Sequence, residues 1–244
     1  MKAVRIHTHG GLDRLRYEDV DEPQLRADLD VIVELKAAAI NRIDLRDRSG
    51  LNGEILSAPR IPGADGAGTV FSTGSEVRNV KPGDAVCLYP IYGCGVCQFC
   101  RAEQESLCSE RQFLGEHHNG TYAEFVRVPA RNCFALPLGL SFEEAAAFPL
   151  VYVTAWRMLI SQANLKPGES VLIIGAGGGI ATAALQIASV MGARVIVISD
   201  NEEKVSVARN FGAAAGIHRN RREFAPAVRG LTGKRRVDVV VKGV

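Results

Sequence analysis

The sequence carries almost no net charge, and this absence narrows the class of protein. Over 244 residues, 29 Lys and Arg side chains stand against 27 Asp and Glu side chains, which gives a formal net charge of +2. Proteins that bind nucleic acids or membrane surfaces usually need a strong basic field. We therefore expect no nucleic-acid partner and no membrane partner, and we expect a small molecule instead.

Other features are missing as well. Residues 1–6 alternate charged and apolar side chains like a strand and lack the apolar stretch of a secretory signal, so we expect a cytoplasmic protein. There is no internal repeat and no low-complexity tract. The long uncharged run 171–193 is interrupted by Gly175, Gly177, Gly178 and Gly179. A strand, a turn and a helix explain that run better than a membrane span does.

The composition allows a large buried core, since 47% of the residues are hydrophobic and 23% are charged. Residues 1–129 contain short alternating runs and Pro-Gly turns, a pattern typical of a β-rich, barrel-like domain. Residues 130–244 alternate strand-like and helix-like segments, which predicts a parallel, doubly wound sheet. The predicted fold class is α/β, with one domain at 1–129 and another at 130–244.

The elements of the second domain follow from the hydrophobic period. The predicted strands are 170–174, 194–198, 214–217 and 237–241, and the predicted helices are 180–191, 202–211 and 223–231.

Four cysteines lie close together in the pattern C-x2-C-x2-C-x7-C: Cys94, Cys97, Cys100 and Cys108. A tight loop can present four thiolates to zinc, which binds them in a tetrahedron. Disulfides seldom form inside cells, and the bacterial iron–sulfur run ends in C-x3-C-P, so both alternatives fit less well. The pattern predicts one structural zinc ion per chain, held in a lobe at about 90–112 and closed to substrate.

An apolar strand runs into a glycine-rich turn at 171–181, the context of a dinucleotide-binding fingerprint. Glycines let the backbone approach a pyrophosphate, and the start of the following helix offers N–H donors. The predicted cofactor-binding residues here are Gly175, Gly177, Gly178, Gly179 and Ile180. Because Ile180 replaces the last glycine of G-x-G-x-x-G, the sequence fits G-x-x-G-x-x-A better.

About twenty residues later, Ser199 and Asp200 follow the second predicted strand. An acidic residue there commonly binds the ribose of NAD. Ser199 with Lys204, Arg219 and Arg221 would suit the 2′-phosphate of NADP, which Asp200 would repel if it points at the ribose. The predicted cofactor is NADP or NAD, and the basic residues favour NADP.

With these parts, the sequence resembles the medium-chain dehydrogenase/reductase superfamily, which includes the zinc-type alcohol dehydrogenases and the quinone reductases. The resemblance covers essentially the whole chain. It implies a GroES-like first domain, a Rossmann second domain and the possibility of a homo-oligomer. The matching segments are 2–4, 61–68, the four-cysteine lobe, 120–125, 154–156 and the glycine turn.

Family members with a catalytic zinc carry a cysteine at the position of Asn41 and another at that of Leu150. They also have Gly-His-Glu where this sequence has Gly63, Ala64 and Asp65. Every ligand position is changed, so Lewis-acid chemistry on alcohols is not expected.

For relatives without that zinc, the family implies hydride transfer from NAD(P)H to a quinone or an α,β-unsaturated carbonyl compound. The candidates beside the nicotinamide are Asn41 and Thr154, and Tyr152 or Arg42 would face the substrate.

Two alternatives stay open. One is a zinc-type alcohol dehydrogenase. The other is a non-catalytic module that binds a dinucleotide or a partner chain, because related proteins continue beyond 237–241 whereas this sequence stops at Val244. On this comparison we expect a C-terminally truncated chain with an incomplete Rossmann sheet.

Overall fold

The computed structural model describes residues 1–51, 53, 55–56, 58–218, 224–233 and 236–242. The chain forms two compact units, Met1–Leu150 and Val151–Val244. Within the described ranges, no helix combines the length and the apolar character needed to cross a membrane.

The first unit is built from antiparallel strands. Its strands are β1 (Lys2–Ile6), β2 (Leu15–Asp19), β3 (Asp30–Ala39), β4 (Asp65–Thr73), β5 (Ala85–Leu88), β6 (Ile91–Tyr92), β7 (Gln112–Phe113), β8 (Phe125–Pro129) and β9 (Cys133–Ala135). A five-stranded sheet has the order β8-β3-β4-β5-β9, while β1 pairs with β2 and β6 pairs with β7. Alternate side chains of these strands, including Val31, Val33 and Val86, are fully buried in one core, as expected for a sheet with one covered face.

The helices that begin in this unit are α1 (Arg42–Ser49), α2 (Gln98–Arg101), α3 (Phe142–Ala146) and α4 (Pro149–Trp156), and α4 continues as a π-helix at Arg157–Gln162. Strand β9 pairs with β5, and Ala145 and Ala146 of α3 pack against Ala67 of β4. The first unit therefore extends to Leu150, beyond the predicted boundary at residue 129. The segment after residue 129 adds β9 to the sheet, and its helix α3 packs against that sheet.

A close backbone contact between Gly63 and Thr121 fixes the position of the segment that leads into β4. Gly63 has a φ of +105°, and a Cβ atom there would lie 2.5 Å from Oγ1 of Thr121. The backbone N–H of Thr121 donates to the carbonyl of Gly63 at 3.0 Å. Only glycine satisfies both the left-handed backbone and the close contact. The segment before β4 is thus held directly against 120–122.

The second unit contains a four-stranded parallel sheet with the order β12-β11-β10-β13. Its strands are β10 (Ser170–Ile174), β11 (Arg194–Ser199), β12 (Ala215–His218) and β13 (Val239–Lys242), and its helices are α5 (Gly179–Val190), α6 (Glu202–Asn210) and α7 (Phe224–Leu231). The prediction of alternating strands and helices is confirmed, with β10 at the predicted residues.

Both faces of this sheet are covered. Val171 and Ile173 of β10 face a core that includes Ala184 of α5, whereas Leu172 packs in a second core with Val228 of α7. A strand alternates its side chains between the two faces, so helices on both faces require an apolar residue at every position. This arrangement confirms the predicted doubly wound architecture.

Candidate functional site

The four predicted metal-binding cysteines converge. The sulfur atoms of Cys94, Cys97, Cys100 and Cys108 all lie within 4.8 Å of one another. The Sγ atoms of Cys94 and Cys100 are 3.9 Å apart. Four thiolates around zinc, with Zn–S bonds of about 2.3 Å, form a tetrahedron with edges of about 3.8 Å. The cluster therefore has the size and the donor atoms of a closed structural zinc site, and no second group of this kind occurs among the described residues.

Local backbone geometry shapes this lobe. Cys97 is the N-cap of α2, and backbone N–H groups donate to sulfur from Cys97 to Cys94 at 3.3 Å and from Cys100 to Cys97 at 3.4 Å. Donation by the backbone N–H groups of Val96 and Cys97 lowers the pKa of Cys94 to about 6, which favours the thiolate that a metal needs. The guanidinium of Arg131 donates to the carbonyl of Gly93 and ties the lobe to the segment before β9.

A second cluster lies where the catalytic-zinc members of the family have their ligands. The side-chain nitrogen of Asn41 donates to Oδ2 of Asp65 at 2.9 Å. The backbone N–H of Leu150 donates to both carboxylate oxygens of Asp65, at 3.2 and 3.3 Å. The fold thus brings three of the four positions together, but they bind one another by hydrogen bonds. The side chains of Leu150 and Ala64 offer no donor atoms to a metal.

Asp44 supports this cluster from α1. Its carboxylate accepts hydrogen bonds from the backbone N–H of Asn41 at 2.7 Å, from the backbone N–H of Ala64 at 3.0 Å and from the hydroxyl of Tyr122 at 2.9 Å. Asp44 is buried, and three donors on one carboxylate are strong, directional contacts. It joins the start of α1 to the segment that leads into β4.

Burial dominates the electrostatics of these carboxyl groups. Desolvation raises the pKa of Asp65 to about 7, against the lowering effect of its bonds from Asn41 and Leu150. Desolvation likewise raises the pKa of Asp44 and brings that of Asp47 to about 6, although Arg60 lies 3.7 Å from Asp47. Sequence reasoning did not assign roles to these groups. A signal was present, because Asp65 interrupts a run of small apolar residues at 61–70.

These shifts predict how stability depends on pH. A carboxyl group whose pKa is higher in the folded chain binds its proton more tightly there, so the free energy of unfolding falls as pH rises from about 4 to about 7. We expect Asp65→Asn to remove part of this fall, leaving the variant more stable above pH 7 by on the order of 2 kcal/mol. Urea unfolding between pH 5 and pH 8 measures the effect. The exposed Asp21→Asn variant is the control and should keep the wild-type slope; equal slopes for all three chains would contradict the assignment.

The glycine turn lies between β10 and α5. Gly175 and Gly177 have φ values of +97° and +92°, and a Cβ on Gly179 would lie 2.8 Å from Val151, so the fold itself requires glycine at these three positions. Gly178 differs, because its φ of −81° and ψ of 154° suit any residue and a Cβ would meet nothing closer than 3.9 Å. The fold itself therefore does not require glycine at position 178. Ile180 is half-buried in the first turn of α5.

The turn also has the right place in the sheet. Moving from β10, the chain goes first to β11 and β12 on one side, and then to β13 on the other. Such a reversal creates a crevice at the carboxyl ends of β10 and β13, the kind of place where ligands bind in open α/β sheets. Gly175 follows β10 at this edge, beside Lys242 at the end of β13. The N-terminus of α5 points its free N–H groups to the same edge.

The ribose-binding candidates are placed differently from one another. Ser199 is buried, and its hydroxyl accepts a hydrogen bond from the backbone N–H of Asn201. Asp200 is exposed immediately after β11. Carbon atoms of the Lys204 side chain would lie 2.8 to 3.3 Å from a Cβ placed on Gly177, so this lysine borders the glycine turn. Arg219 and Arg221 lie outside the described residues.

Arg42, a further candidate, is the first residue of α1, and two others lie on α4. Thr154 is partly exposed. Tyr152 packs against the core of the second unit, and its hydroxyl donates to the side-chain oxygen of Gln186 on α5. Tyr152 is therefore engaged within the second unit, which makes it a weaker candidate for substrate contact than sequence reasoning implied.

The fold and these sites define a class. A chain that joins a four-cysteine metal lobe to a parallel sheet with a glycine turn at its point of reversal has the parts of a dinucleotide-dependent oxidoreductase with a structural metal. Comparison with known proteins agrees. Residues 27–138 match the family model of the alcohol dehydrogenase GroES-like domain, and residues 179–244 match that of the zinc-binding dehydrogenases.

Individual relatives extend this match over the whole chain. An NAD-dependent alcohol dehydrogenase of Sulfolobus acidocaldarius is 35% identical over 99% of this chain and 70% of its own length. An acryloyl-coenzyme A reductase of Metallosphaera sedula is 32% identical over 86% of this chain and 62% of its own. A crystal structure of an NAD-dependent alcohol dehydrogenase superposes with a TM-score of 0.95 at 41% identity, covering 98% of this chain and 70% of that one. The chain belongs to the medium-chain dehydrogenase/reductase superfamily, and it spans roughly two thirds of the length of these relatives.

Proposed function

We propose that the chain is the zinc-stabilised, dinucleotide-binding part of a reductase that transfers hydride from NAD(P)H to a quinone or an α,β-unsaturated carbonyl compound without a catalytic zinc. The observation that carries this proposal is the cluster of Asn41, Asp65 and Leu150. At the positions where catalytic-zinc members hold their metal, this chain has a carboxamide, a buried carboxyl group and an aliphatic side chain.

The chemistry of the substrate class fits such a site. The bound dinucleotide supplies the hydride, and a quinone or an enone accepts it at an electron-poor carbon without a Lewis acid. What the protein must add is binding, orientation and one hydrogen-bond donor for the oxygen on which negative charge develops. Asn41 is our candidate for that donor, because its amide nitrogen has a second N–H beyond the one given to Asp65. Thr154 remains a proposed residue beside the nicotinamide.

For the cofactor, we propose that the glycine turn, with Gly175, Gly177, Gly178, Gly179 and Ile180, holds the pyrophosphate. Asp200 supports a preference for NAD, because it is exposed after β11 whereas Ser199 is buried. The name of the Sulfolobus relative agrees with this preference. Lys204 next to Gly177 supports the opposite preference, so a titration with both cofactors decides between them. For the metal, we propose one zinc ion on Cys94, Cys97, Cys100 and Cys108.

The reaction is tested by assaying the chain with NADH and NADPH against 2-cyclohexenone, a benzoquinone and a primary alcohol with the oxidised cofactor. We expect reduction of the first two, no alcohol oxidation and one zinc per chain. We expect Asn41→Ala to lower kcat/KM roughly tenfold or more, because a donor to the developing oxyanion is lost. The matched control is Asn210→Ala at the exposed end of α6, which should keep wild-type activity.

Other outcomes would favour the alternatives. Two zinc ions per chain together with alcohol oxidation would support a zinc-type alcohol dehydrogenase, the activity that the name of the Sulfolobus relative states. Saturable dinucleotide binding with no turnover of any acceptor would support a non-catalytic module.

A further inference from the structure

We propose that Asp65 is a positioning residue that sets the orientation of the Asn41 carboxamide. An ionised Asp65 holds the amide nitrogen toward itself, and a protonated Asp65 turns the amide over so that both N–H groups point away from it. This inference rests on the proposed function, since it assigns Asn41 as the hydrogen-bond donor to substrate. It adds that the protonation state of Asp65 controls the orientation of Asn41, which the family comparison does not state.

Asp65 is held firmly enough to direct its neighbour. It is 1% exposed and is the first residue of β4, where it pairs with Ala39 of β3. Its carbonyl accepts a hydrogen bond from the hydroxyl of Thr121 at 2.8 Å. Its carboxylate is anchored by the backbone N–H of Leu150. With its main chain and side chain fixed, Asp65 cannot turn away from Asn41, so the smaller adjustment falls to the amide.

The orientation of Asn41 follows from donor and acceptor rules. An ionised carboxylate only accepts hydrogen bonds, so the group of Asn41 that faces it must be the NH₂ end, as observed at 2.9 Å. A protonated carboxyl group has one O–H donor and one acceptor oxygen, and in our proposal the O–H pairs with the carbonyl end of the amide. A half-turn about the last side-chain bond interchanges the two ends at little cost in shape, because the oxygen and nitrogen of an amide have nearly equal size.

The environment of Asp65 places its titration near neutral pH. The titratable groups that act on or respond to Asp65 are Asp44, Tyr122 and Cys87, none of which is a cation. Among the described residues, no Lys, Arg or His forms an ion pair with Asp65. Burial raises the pKa of Asp65 to about 7. Both protonation states of Asp65 are therefore available near neutral pH.

The two states differ in what they offer a substrate. Below the transition, Asn41 presents two N–H donors and its neighbour is uncharged. Above it, one N–H is committed to Asp65, and a buried negative charge lies next to the place where an oxyanion develops. Like charges in a buried site repel, so the protonated state is the more active one. With a transition near 7, kcat/KM falls about tenfold between pH 6 and pH 8.

The decisive experiment needs no turnover. The side-chain amide resonances of Asn41, assigned by their loss in Asn41→Asp, are followed by NMR from pH 5.5 to pH 8.5. We expect one titration with a midpoint near 7 in the wild type and no titration in Asp65→Asn. The amide of Asn119, whose oxygen accepts from the backbone N–H of Ile61, is the internal control and should not move. A flat Asn41 signal in the wild type overturns the inference even if the variant fails to fold, and so does an equal titration in a folded Asp65→Asn.

The pH profile of kcat/KM then separates this inference from the proposed reaction. In Asp65→Asn no carboxyl group titrates beside Asn41, so the profile of kcat/KM should lose its fall above pH 7. An NMR titration without turnover would leave the positioning role standing and reject the reaction. Turnover without an NMR titration would support the reaction and reject the positioning role.

Discussion

Replacing Cys108 by serine is expected to empty the zinc lobe and unfold it. Cys108 is fully buried, and its sulfur accepts from the backbone N–H of Cys94 at 3.5 Å. The lobe has little else to hold it, because Val96 is 68% exposed and Leu107 is 43% exposed. Structural zinc contributes on the order of 10 kcal/mol to the folding of small domains at neutral pH. We expect the zinc content to fall from one ion per chain to nearly none, as measured by inductively coupled plasma mass spectrometry.

The control for this variant is Cys87→Ser. Cys87 lies on β5 in the sheet and outside the cluster, so the variant should keep one zinc ion per chain. Hydrogen exchange followed by mass spectrometry should show fast exchange at 93–110 in Cys108→Ser alone. Full zinc content and unchanged protection in Cys108→Ser would mean that the four thiols do not form the site.

The second large effect is expected at the glycine turn, where Gly178→Ala should abolish dinucleotide binding and leave the fold intact. The backbone of Gly178 is ordinary and the added methyl group meets no protein atom closer than 3.9 Å, so we expect the stability to change by less than about 1 kcal/mol. A ligand pyrophosphate packed against that backbone would instead be displaced. A loss of about 2.7 kcal/mol in binding corresponds to about a hundredfold weaker affinity. Nicotinamide fluorescence during titration with NADH and NADPH measures it.

Gly230→Ala is the matched control, because Gly230 lies in α7 of the same unit and a Cβ there meets no atom within 4 Å. It should bind the dinucleotide as the wild type does. If Gly178→Ala also binds with unchanged affinity while both variants melt normally, the cofactor does not approach the turn at this residue.

Much of the second unit could be predicted from the sequence because its signals are local. Residues 170–174 form a short apolar run bounded by Pro167-Gly168 and by Gly175, and β10 occupies those residues. The four cysteines converge as predicted because a short loop limits how far apart their sulfur atoms can lie. Zinc and dinucleotide chemistry follow from these patterns, and the family comparison confirms the class.

The first unit shows what local signals miss. Asn41, Asp65 and Leu150 are far apart in the chain, and only the packing of α1 and the start of α4 beside β4 brings them into contact. The burial of the two ribose-binding candidates after β11 was equally hard to predict. Ser199 and Asp200 are adjacent, yet only Ser199 is buried. The end of the β-rich pattern at residue 129 did not reveal that β9 pairs in the same sheet or that α3 packs against it. The place of Thr154 beside the nicotinamide, substrate contact by Tyr152, and the cytoplasmic location stay predictions.

The cluster around Asp65 also bears on how such proteins diverge. The backbone N–H groups of 41 and 64 both donate to Asp44, and that of 150 donates to Asp65, two residues after the turn at Gly63. Cysteine at 41 and 150 and histidine at 64 would restore the family's catalytic ligand set on this same backbone. On this backbone, three side chains separate the family's catalytic ligand set from the hydrogen-bonded cluster of Asn41, Asp65 and Leu150.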